Sequence, residues 1–293
     1  MANLKEIRTR LASVTTTRQI TSAMKMVSAA KLRRAQDAIL QMRPYYYKLQ
    51  DILTDVSKST ESKVALEYTE NRELKRALLI VITSNKGLCG GFNSNIVKQT
   101  IQNLTNKYKE LHERGAIDIM AIGKKGAEQL KAKGFSPTTI NGDLLESLQY
   151  EKIKIIAEEL VSSFLRNEYD LIELYYNKFK NASTQAVTEE QYLPVSEPEE
   201  QRLFEENIEY ILEPSKETII TRLVPKALEI QLYKALLESV TSEHGARMTA
   251  MHKATDNATE IIKELKLEYN KARQAAITNE ILEIVGGADA LKS

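Results

Sequence analysis

Two long segments at opposite ends of the chain lack the residues that break helices. Residues 1–43 contain neither Gly nor Pro, and residues 226–285 contain no Pro and only one Gly, Gly245. A helix covering the second segment would extend roughly 90 Å, about three times the width of a small domain. Because a helix of that length cannot bury itself in its own globule, it needs a partner along its length. The sequence therefore predicts that the two ends of the chain pack against each other.

Both segments carry apolar residues at alternating spacings of three and four, which is the heptad pattern of a coiled coil. The predicted seam residues are Val27, Ala35, Met42, Leu49, Ala254, Ala258, Leu265 and Ala272. Pro44 lies inside the N-terminal pattern and should kink the helix or end its straight part. Because the two segments lead to opposite chain ends from a folded middle, an antiparallel helix pair is the simplest geometry.

Strand-like and helix-like stretches alternate between the two ends. The predicted strands are Arg76–Thr83, Ile117–Ile122, Tyr169–Phe179 and Thr184–Leu193, and the predicted helices are Asn93–Glu113, Lys124–Lys133 and Leu144–Asn167. This alternation favours a Rossmann-like α/β domain with a mostly parallel sheet, in which the last two strands form an antiparallel edge hairpin. We therefore predict this domain at residues 74–196, flanked by coiled-coil helices at residues 1–57 and 207–293.

A glycine-rich turn, Gly87–Gly91, follows the first predicted strand. It has neither the G-x-G-x-x-G spacing nor the Gly-Lys-Ser/Thr of a Walker loop, so no nucleotide site is predicted. It does fit the G-x-C-x-G form of a nucleophile elbow with Cys89 as the nucleophile, which requires a nearby His and an acid. The three His residues, His112, His244 and His252, are dispersed along the chain. We interpret Cys89 as a small buried residue in a tight turn, with a cysteine hydrolase as an alternative.

Charge is unevenly distributed, although the formal net charge is only +1. Residues 1–50 carry ten Lys or Arg against two acids, whereas residues 187–213 carry nine Glu against one Arg. A basic helix suits nucleic acid or an acidic protein surface. Because this helix leads into a strand-rich domain and not into a dimeric zipper, an acidic protein is favoured, with a nucleic-acid scaffold as the alternative. The acids interpreted as a solvated linker are Glu189, Glu190, Glu197, Glu199 and Glu200.

Cysteine content and hydropathy narrow the class of protein further. A single cysteine, Cys89, excludes an internal disulfide and a Cys-based zinc site, which fits a reducing compartment. The longest wholly apolar run, Ala77–Ile82, is far shorter than the roughly 20 residues that cross a membrane. The N-terminus shows no apolar signal core. We therefore expect a protein that is not secreted, and we expect no cofactor and no metal.

Three stretches of sequence carry a family resemblance. They are Ile20–Lys31, Thr83–Asn93 and the C-terminal run from Ser242 to Ala288. Together, and in this order, they resemble the gamma subunits of F-type ATP synthases of the bacterial type. Gly245 departs from the Ala that a helix would prefer at that position. The lack of a second cysteine excludes the thiol switch of chloroplast members.

The resemblance implies a central rotor shaft with no catalytic site of its own. One copy per complex would stand partly inside a hexamer of alpha and beta subunits and partly with epsilon on the membrane-embedded c-ring. Ion flow through the ring would turn the shaft, which would couple rotation to ATP synthesis or hydrolysis and regulate ATPase activity and proton flow. The implied location is peripheral, on the cytoplasmic face of the bacterial inner membrane, with no nucleic-acid partner.

The resemblance also implies where the shaft contacts the beta subunits. The expected contact residues are Arg8, Arg10, Met24, Lys25, Arg273, Gln274, Glu280 and Glu283. The basic residues near the N-terminus would face acidic segments of beta, and Met24 would adapt as the surface repacks during rotation. Arg273 could offer a bidentate charge-assisted pair to a beta loop, and Gln274 a neutral hydrogen bond.

Overall fold

The computed structural model describes residues 4–58, 67–69, 72–195 and 216–290, and the chain divides into two compact units. The terminal unit comprises Met1–Ser28 with Met248–Ser293, and the sheet unit comprises Ala29–Arg247. The elements in chain order are α1 (Leu4–Lys58), β1 (Ala77–Ile82), α2 (Phe92–Thr105), α3 (Lys109–Glu113), β2 (Ile117–Ile122), α4 (Lys124–Ala132), β3 (Thr139–Ile140), a 3₁₀ turn (Asp143–Leu145), α5 (Tyr150–Leu165), β4 (Leu171–Phe179), β5 (Gln185–Leu193) and α6 (Lys216–Ala290).

A five-stranded sheet with the strand order β3-β2-β1-β4-β5 forms the centre of the sheet unit. β1 pairs in parallel with both β2 and β4, and β3 pairs in parallel with β2. β5 runs antiparallel to β4 at the edge. The predicted Rossmann-like, mostly parallel sheet with an antiparallel edge hairpin is confirmed.

Helices cover both faces of this sheet, which explains why β1 is buried at every position. On one face, Leu79 of β1 belongs to an apolar cluster with Ile96 of α2 and Leu130 of α4. On the other face, Ile80 belongs to a cluster that includes Leu232 of α6 and much of α5. The C-terminal helix is therefore one of the layers that complete the core of the sheet unit.

Helices α1 and α6 run antiparallel within the sheet unit, as predicted. Arg43 of α1 contacts Glu238 of α6, with 2.8 Å between the nitrogen and oxygen atoms. Tyr46, about one turn later in α1, contacts Lys234, about one turn earlier in α6. The described part of α1 continues through Pro44 to Lys58 as a helix.

In the terminal unit, the buried residues of each helix follow a heptad-like spacing. They are Ile7, Thr21 and Ser28 on α1, and Met251, Ala258, Ile262 and Leu265 on α6. The hydroxyl oxygens of Thr255 and Thr21 lie 2.9 Å apart, which joins the two helices. Thr21 in turn donates a hydrogen bond to the carbonyl oxygen of Arg18.

Small polar residues take the place of a predicted valine in this seam. Val27 is 57% exposed, whereas the neighbouring Ser28 is buried. The seam assignment of Val27 is therefore corrected by one position. The apolar pattern alone selects Val27, but Thr21 and Ser28 lie at intervals of seven residues from Ile7 and are small enough to allow close helix packing.

Several element boundaries differ from those predicted. The single helix predicted at Asn93–Glu113 is interrupted, because Tyr108 is buried against the sheet and donates a hydrogen bond to Glu173. The helix predicted from Leu144 begins only at Tyr150, after the 3₁₀ turn. Strand β3 was not predicted, since two residues are too few to show periodicity.

Two features complete the description of the fold. The predicted domain limits at residues 196 and 207 lie outside the described residues, as do Glu197, Glu199 and Glu200. Among the described helices, none has both the length and the apolar character needed to cross a bilayer.

Candidate functional site

The ligand crevice of a doubly wound sheet normally lies where the strand order reverses, beyond the carboxyl ends of two central strands. Here those strands are β1 and β4, and α6 occupies the position beyond them. A Cβ at Gly245 of α6 would lie 3.1 Å from the carbonyl oxygen of Ala182, in the turn after β4. Arg247 donates hydrogen bonds to the carbonyl oxygens of Lys86 (2.8 Å) and Gly87 (3.2 Å), in the turn after β1. The chain's own helix therefore fills the place where doubly wound proteins hold a ligand.

Cys89 lies buried in the turn after β1. Its Sγ is 3.4 Å from Asn93 Nδ2 and 3.7 Å from Ser84 Oγ. Burial raises the pKa of the thiol above its usual value, although Ser84 and the charge of Arg247 oppose this effect. A catalytic cysteine needs a lowered pKa and a basic partner. These surroundings are those of a structural cysteine.

A buried acid (Glu243), a buried base (Arg247) and a half-buried histidine (His244) adjoin this turn on α6. Arg247 Nη1 lies 2.6 Å from Glu243 Oε1, and both side chains are largely buried. Burial raises the pKa of Glu243, an effect that Arg247 only partly offsets. Burial and the positive charges of Arg247 and Lys31 lower the pKa of His244 to about 4. Within the described residues, His244 Nδ1 has no hydrogen-bond partner.

A buried carboxylate on α6 joins three elements of the sheet unit. Glu238 is 1% exposed, and its Oε1 accepts hydrogen bonds from Arg43 Nη2 (2.8 Å) and Nε (3.1 Å) on α1. Its Oε2 accepts from the backbone N–H of Phe179 (2.8 Å), the last residue of β4. Arg43 Nη2 also donates to the carbonyl oxygen of Phe179 (3.2 Å). Pairing of β4 with β1 ends at Tyr175, so the end of β4 extends beyond β1. There α1 and α6 supply the hydrogen-bond partners of the Phe179 backbone.

A second carboxylate projects from the sheet towards the helices. Glu190 of β5 accepts hydrogen bonds from Lys234 Nζ (3.0 Å to each oxygen) and Gln231 Nε2 (2.8 Å) of α6, and from Tyr176 of β4. The Tyr46 hydroxyl of α1 donates to the same carboxylate at 3.4 Å. Burial alone would raise the pKa of Glu190, but Lys234 and these hydrogen bonds hold it below its usual value.

Glu189 and Glu190 do not belong to the solvated linker that the sequence predicts. Both lie on β5, where successive side chains point to opposite sides of the sheet. Glu189 is exposed, whereas Glu190 contacts the helices. A cluster of acids near prolines suggests a loop, but here the strand alternation decides which acid faces the helices.

The residues expected to contact beta subunits all lie in the terminal unit. Those that are exposed are Arg8, Arg10, Arg273, Gln274, Glu280 and Glu283. Met24 and Lys25 are half-buried. Every α6 residue from Arg273 to Gly287 is exposed. Five of these side chains are large and apolar, with 48% to 66% exposure: Ile277, Ile281, Leu282, Ile284 and Val285.

The predicted seam residues differ in burial. Leu49, Ala258 and Leu265 are buried. Those that are half-buried are Ala35, Met42, Ala254 and Ala272. Val27 is the exposed member of the set.

Sequence reasoning missed the polar residues that join the helices to the sheet, namely Arg43, Glu190, Glu238 and Arg247. One signal was present, because Glu238 stands in the run Leu236-Leu237-Glu238-Ser239-Val240. An acid among apolar residues of a buried helix needs a partner. That partner, Arg43, is 195 residues away in sequence, so only the fold reveals the pair.

Comparisons with known proteins agree on one family. The sequence model of the family described as ATP synthase matches residues 3–291. The ATP synthase gamma chain of Flavobacterium johnsoniae is 56% identical over 291 residues, covering 99% of both chains. The ATP synthase gamma chain of Geobacter metallireducens is 47% identical over 292 residues, covering 100% of both chains.

Solved structures agree as well. A chain from the central stalk/c-ring structure of the Tetrahymena thermophila mitochondrial ATP synthase matches with a TM-score of 0.57 and 26% identity, covering 80% of this chain and 99% of that one. A chain of the Euglena gracilis mitochondrial ATP synthase shares the fold, with a TM-score of 0.67 and 19% identity, covering 98% of this chain and 94% of that one.

A doubly wound sheet whose crevice is filled by one of two long terminal helices, together with these matches, defines a subunit of a rotary ATP synthase. The chain belongs to the family of ATP synthase gamma chains. Its role is that of the central shaft of the complex, as the sequence resemblance implied. Family membership thus favours a subunit role over a nucleic-acid scaffold or a cysteine hydrolase.

Proposed function

We propose that this chain couples ion-driven rotation to ATP synthesis and hydrolysis by contacting the beta subunits unequally. An asymmetric shaft inside a ring of near-equivalent sites gives each site a different set of contacts. Rotation moves this difference around the ring, so the affinity of each site changes in sequence, which is allostery by differential contact. The same contacts regulate ATPase activity and proton flow.

The exposed apolar end of α6 is the observation that best supports this proposal. Large apolar side chains at Ile277, Ile281, Leu282, Ile284 and Val285 are about half exposed or more. A contiguous apolar surface of this kind marks a site that another protein covers. The occupant we propose is the hexamer of alpha and beta subunits, with one copy of the chain per hexamer.

Polar residues on the same unit supply the specific contacts in this proposal. Arg273 is exposed, so its guanidinium is free to form a bidentate pair with a beta carboxylate. Gln274, Glu280 and Glu283 are exposed further along the same helix. Arg8, Arg10, Met24 and Lys25 provide the contacts from α1.

The remaining partners and the location are also part of the proposal. The sheet unit binds epsilon and the membrane c-ring, which places the chain peripherally on the cytoplasmic face of a bacterial inner membrane. The bacterial source of the Flavobacterium and Geobacter relatives supports this location. The functional segments are residues 1–57, 74–196 and 207–293.

Reconstitution tests the proposal. The chain is mixed with alpha and beta subunits from the same source, and ATP hydrolysis is assayed on the complex isolated by size exclusion. We expect one copy per hexamer and hydrolysis that depends on the chain. Elution of the chain alone, with no change in hexamer activity, would contradict the proposal. Nucleic-acid binding that falls steeply with salt would then be measured next.

A further inference from the structure

Two carboxylates, one buried (Glu238) and one partly buried (Glu190), join the same three elements of the sheet unit from opposite directions. Glu238 extends from α6 and receives hydrogen bonds from the backbone of β4 and from Arg43 of α1. Glu190 extends from β5 and receives hydrogen bonds from Lys234 of α6 and from Tyr46 of α1. Each carboxylate therefore connects the sheet with both helices.

Apolar packing alone holds these elements together but resists sliding poorly. Leu228, Leu232 and Leu236 of α6 belong to the same apolar cluster as Ile172 and Leu174 of β4. The hydrophobic effect depends on buried area and has no preferred direction. Charge-assisted hydrogen bonds are strong and directional, so a small lateral shift breaks them.

The contacts also occur at two separate points along α6. Lys234 and Glu238 are four residues apart, which corresponds to about 6 Å along a helix. A single point of attachment would let the helix pivot around it, whereas two points fix its direction relative to the sheet. A requirement for fixed direction explains why two such contacts are present.

Stability alone does not explain the choice of buried charges. The side chain of Glu238 is 2% exposed and that of Lys234 is 11% exposed. Burying ions removes their hydration, and apolar residues of similar volume often stabilise a core equally well or better. The advantage of an ionic contact lies in its geometry, because directional hydrogen bonds add a fixed alignment to the packing that the apolar cluster already supplies.

We propose that Glu238 and Glu190 form a two-point lock that transmits torque between the sheet and helices α1 and α6. This inference rests on the proposed function, in which the sheet unit binds the driving ring. Torque applied to the sheet then acts as a shear force at its boundary with the helices. Glu238 and Glu190 are positioning residues, since they contact neither a nucleotide nor another subunit in this scheme.

The test uses the complete ATP synthase in membrane vesicles. The variants are Glu238→Gln, Glu190→Gln and their combination, with Glu151→Gln on the exposed surface of α5 as a matched control. Arg43 and the Phe179 N–H bind different oxygens of Glu238, and Gln replaces one of these oxygens with an NH2 group that cannot accept. ATP hydrolysis is measured with an uncoupler, and ATP-driven ion pumping is measured against a graded opposing gradient.

We expect hydrolysis with the uncoupler close to wild type, and pumping by the lock variants several-fold lower than wild type at a high opposing gradient. The Glu151→Gln control should pump like wild type. A further variant, Arg43→Met with Glu238→Met, replaces the ion pair by apolar side chains of similar length. It leaves the Phe179 N–H without its acceptor, so pumping is compared well below the variant's own unfolding temperature. There it should hydrolyse ATP like the wild type and still lose pumping under load, which a purely structural role would not produce.

Three outcomes are distinguishable. If the lock variants pump like the wild type at every gradient, the proposed lock is wrong, whereas the proposed function of the chain still stands. Normal pumping under load by the folded Arg43→Met/Glu238→Met variant would overturn the lock too, because apolar packing would then suffice. If the assembled wild-type chain gives no gradient-dependent activity, the proposed function itself fails, and the lock fails with it.

Discussion

At the scale of single residues, Gly245 is explained by the close approach of a neighbouring turn. A Gly in a helix costs roughly 1 kcal/mol relative to Ala. At Gly245, however, a Cβ would lie 3.1 Å from the carbonyl oxygen and 3.3 Å from the Cα of Ala182. Both are backbone atoms, so they yield less readily than the end of a flexible side chain. The residue that departs from helix preference therefore permits α6 to enter the crevice of the sheet.

Gly245→Leu should consequently destabilise the sheet unit. The larger side chain must displace the turn, at an expected cost of about 2 kcal/mol or more in the free energy of unfolding. Gly286 is the matched control, because it lies in the same helix and a Cβ there meets nothing within 4 Å. Gly286→Leu should leave the free energy of unfolding unchanged or raise it by up to about 1 kcal/mol, because Leu is the better helix former. Urea unfolding of the purified variants measures both, and equal effects would contradict the close approach.

His244 makes the stability of the sheet unit depend on pH. Burial, with the charges of Arg247 and Lys31, lowers its pKa from 6.5 to about 4. The folded chain therefore binds fewer protons at this residue than the unfolded chain between those pH values. Its contribution to stability is fully present above pH 6.5 and is lost as the pH falls towards 4. The loss amounts to at most about 3 kcal/mol.

Glu243, whose pKa is raised, makes the stability change with pH in the opposite direction. Replacing His244 by Gln removes only the contribution of the histidine and so separates the two effects. The free energy of unfolding is measured from pH 4 to pH 7 for the wild type and for His244→Gln. We expect the difference between them to shift in favour of the variant as the pH falls below 6.5. Parallel curves would show that His244 is not buried as a neutral side chain.

At the scale of elements, the position of a leucine on α6 decides whether it is buried in the seam of the terminal unit. Leu265 of α6 is buried, whereas Leu267, two residues later, is 64% exposed. Leu265→Ala should therefore lower the free energy of unfolding by about 2 kcal/mol or more, since it leaves a cavity between the helices. Leu267→Ala should change it by less than about 0.5 kcal/mol. Heat unfolding followed by circular dichroism tests the pair, and similar losses would argue against the seam.

The elements themselves could be predicted because each has a strong local pattern. Ala77–Ile82 is an apolar run bounded by polar residues, and the first strand was found there. The seam was predicted less accurately, because apolar periodicity does not recognise Thr21 and Ser28 as inward-facing residues. The difference is physical, since close helix packing favours small side chains whether or not they are apolar.

The polar contacts could not be predicted, because they depend on which distant elements meet. Nothing near Glu190 in sequence shows that Lys234 and Tyr46 lie beside it. Nor does any motif show that the end of β4 projects beyond β1 and offers its backbone to Glu238. A buried acid is thus recognisable as unusual from its neighbours, whereas its role is visible only in the fold.

At the scale of the whole molecule, the proposed function assigns a different task to each of the two units. The terminal unit presents exposed polar and apolar residues from Arg273 onwards. The sheet unit contains buried ionic contacts that hold a sheet against two helices. This division fits a subunit that receives force in one unit and changes the affinity of its partners through the other, without chemistry of its own.

Arg273→Glu should therefore reduce coupled ATP synthesis far more than it affects folding. The side chain is exposed, so its reversal removes no buried contact, and a surface substitution changes stability by less than about 0.5 kcal/mol. In the assembled enzyme, the same reversal would turn the attraction that we propose between Arg273 and a beta carboxylate into a repulsion. We expect gradient-driven ATP synthesis in membrane vesicles to fall by about tenfold, the effect of roughly 1.4 kcal/mol.

Arg114→Glu serves as the matched control for this prediction, because the Arg114 side chain is 74% exposed and belongs to the sheet unit, which contains none of the proposed beta-contact residues. Its weak pairing with Glu110 across 3.9 Å contributes little to stability. Synthesis by the control should remain near the wild-type rate, and both variants should assemble to the same level. Equal losses of synthesis in the two variants would mean that charge reversal anywhere on the subunit disturbs the enzyme. A loss at Arg273 alone would instead place the specific contact with beta on the last turns of α6.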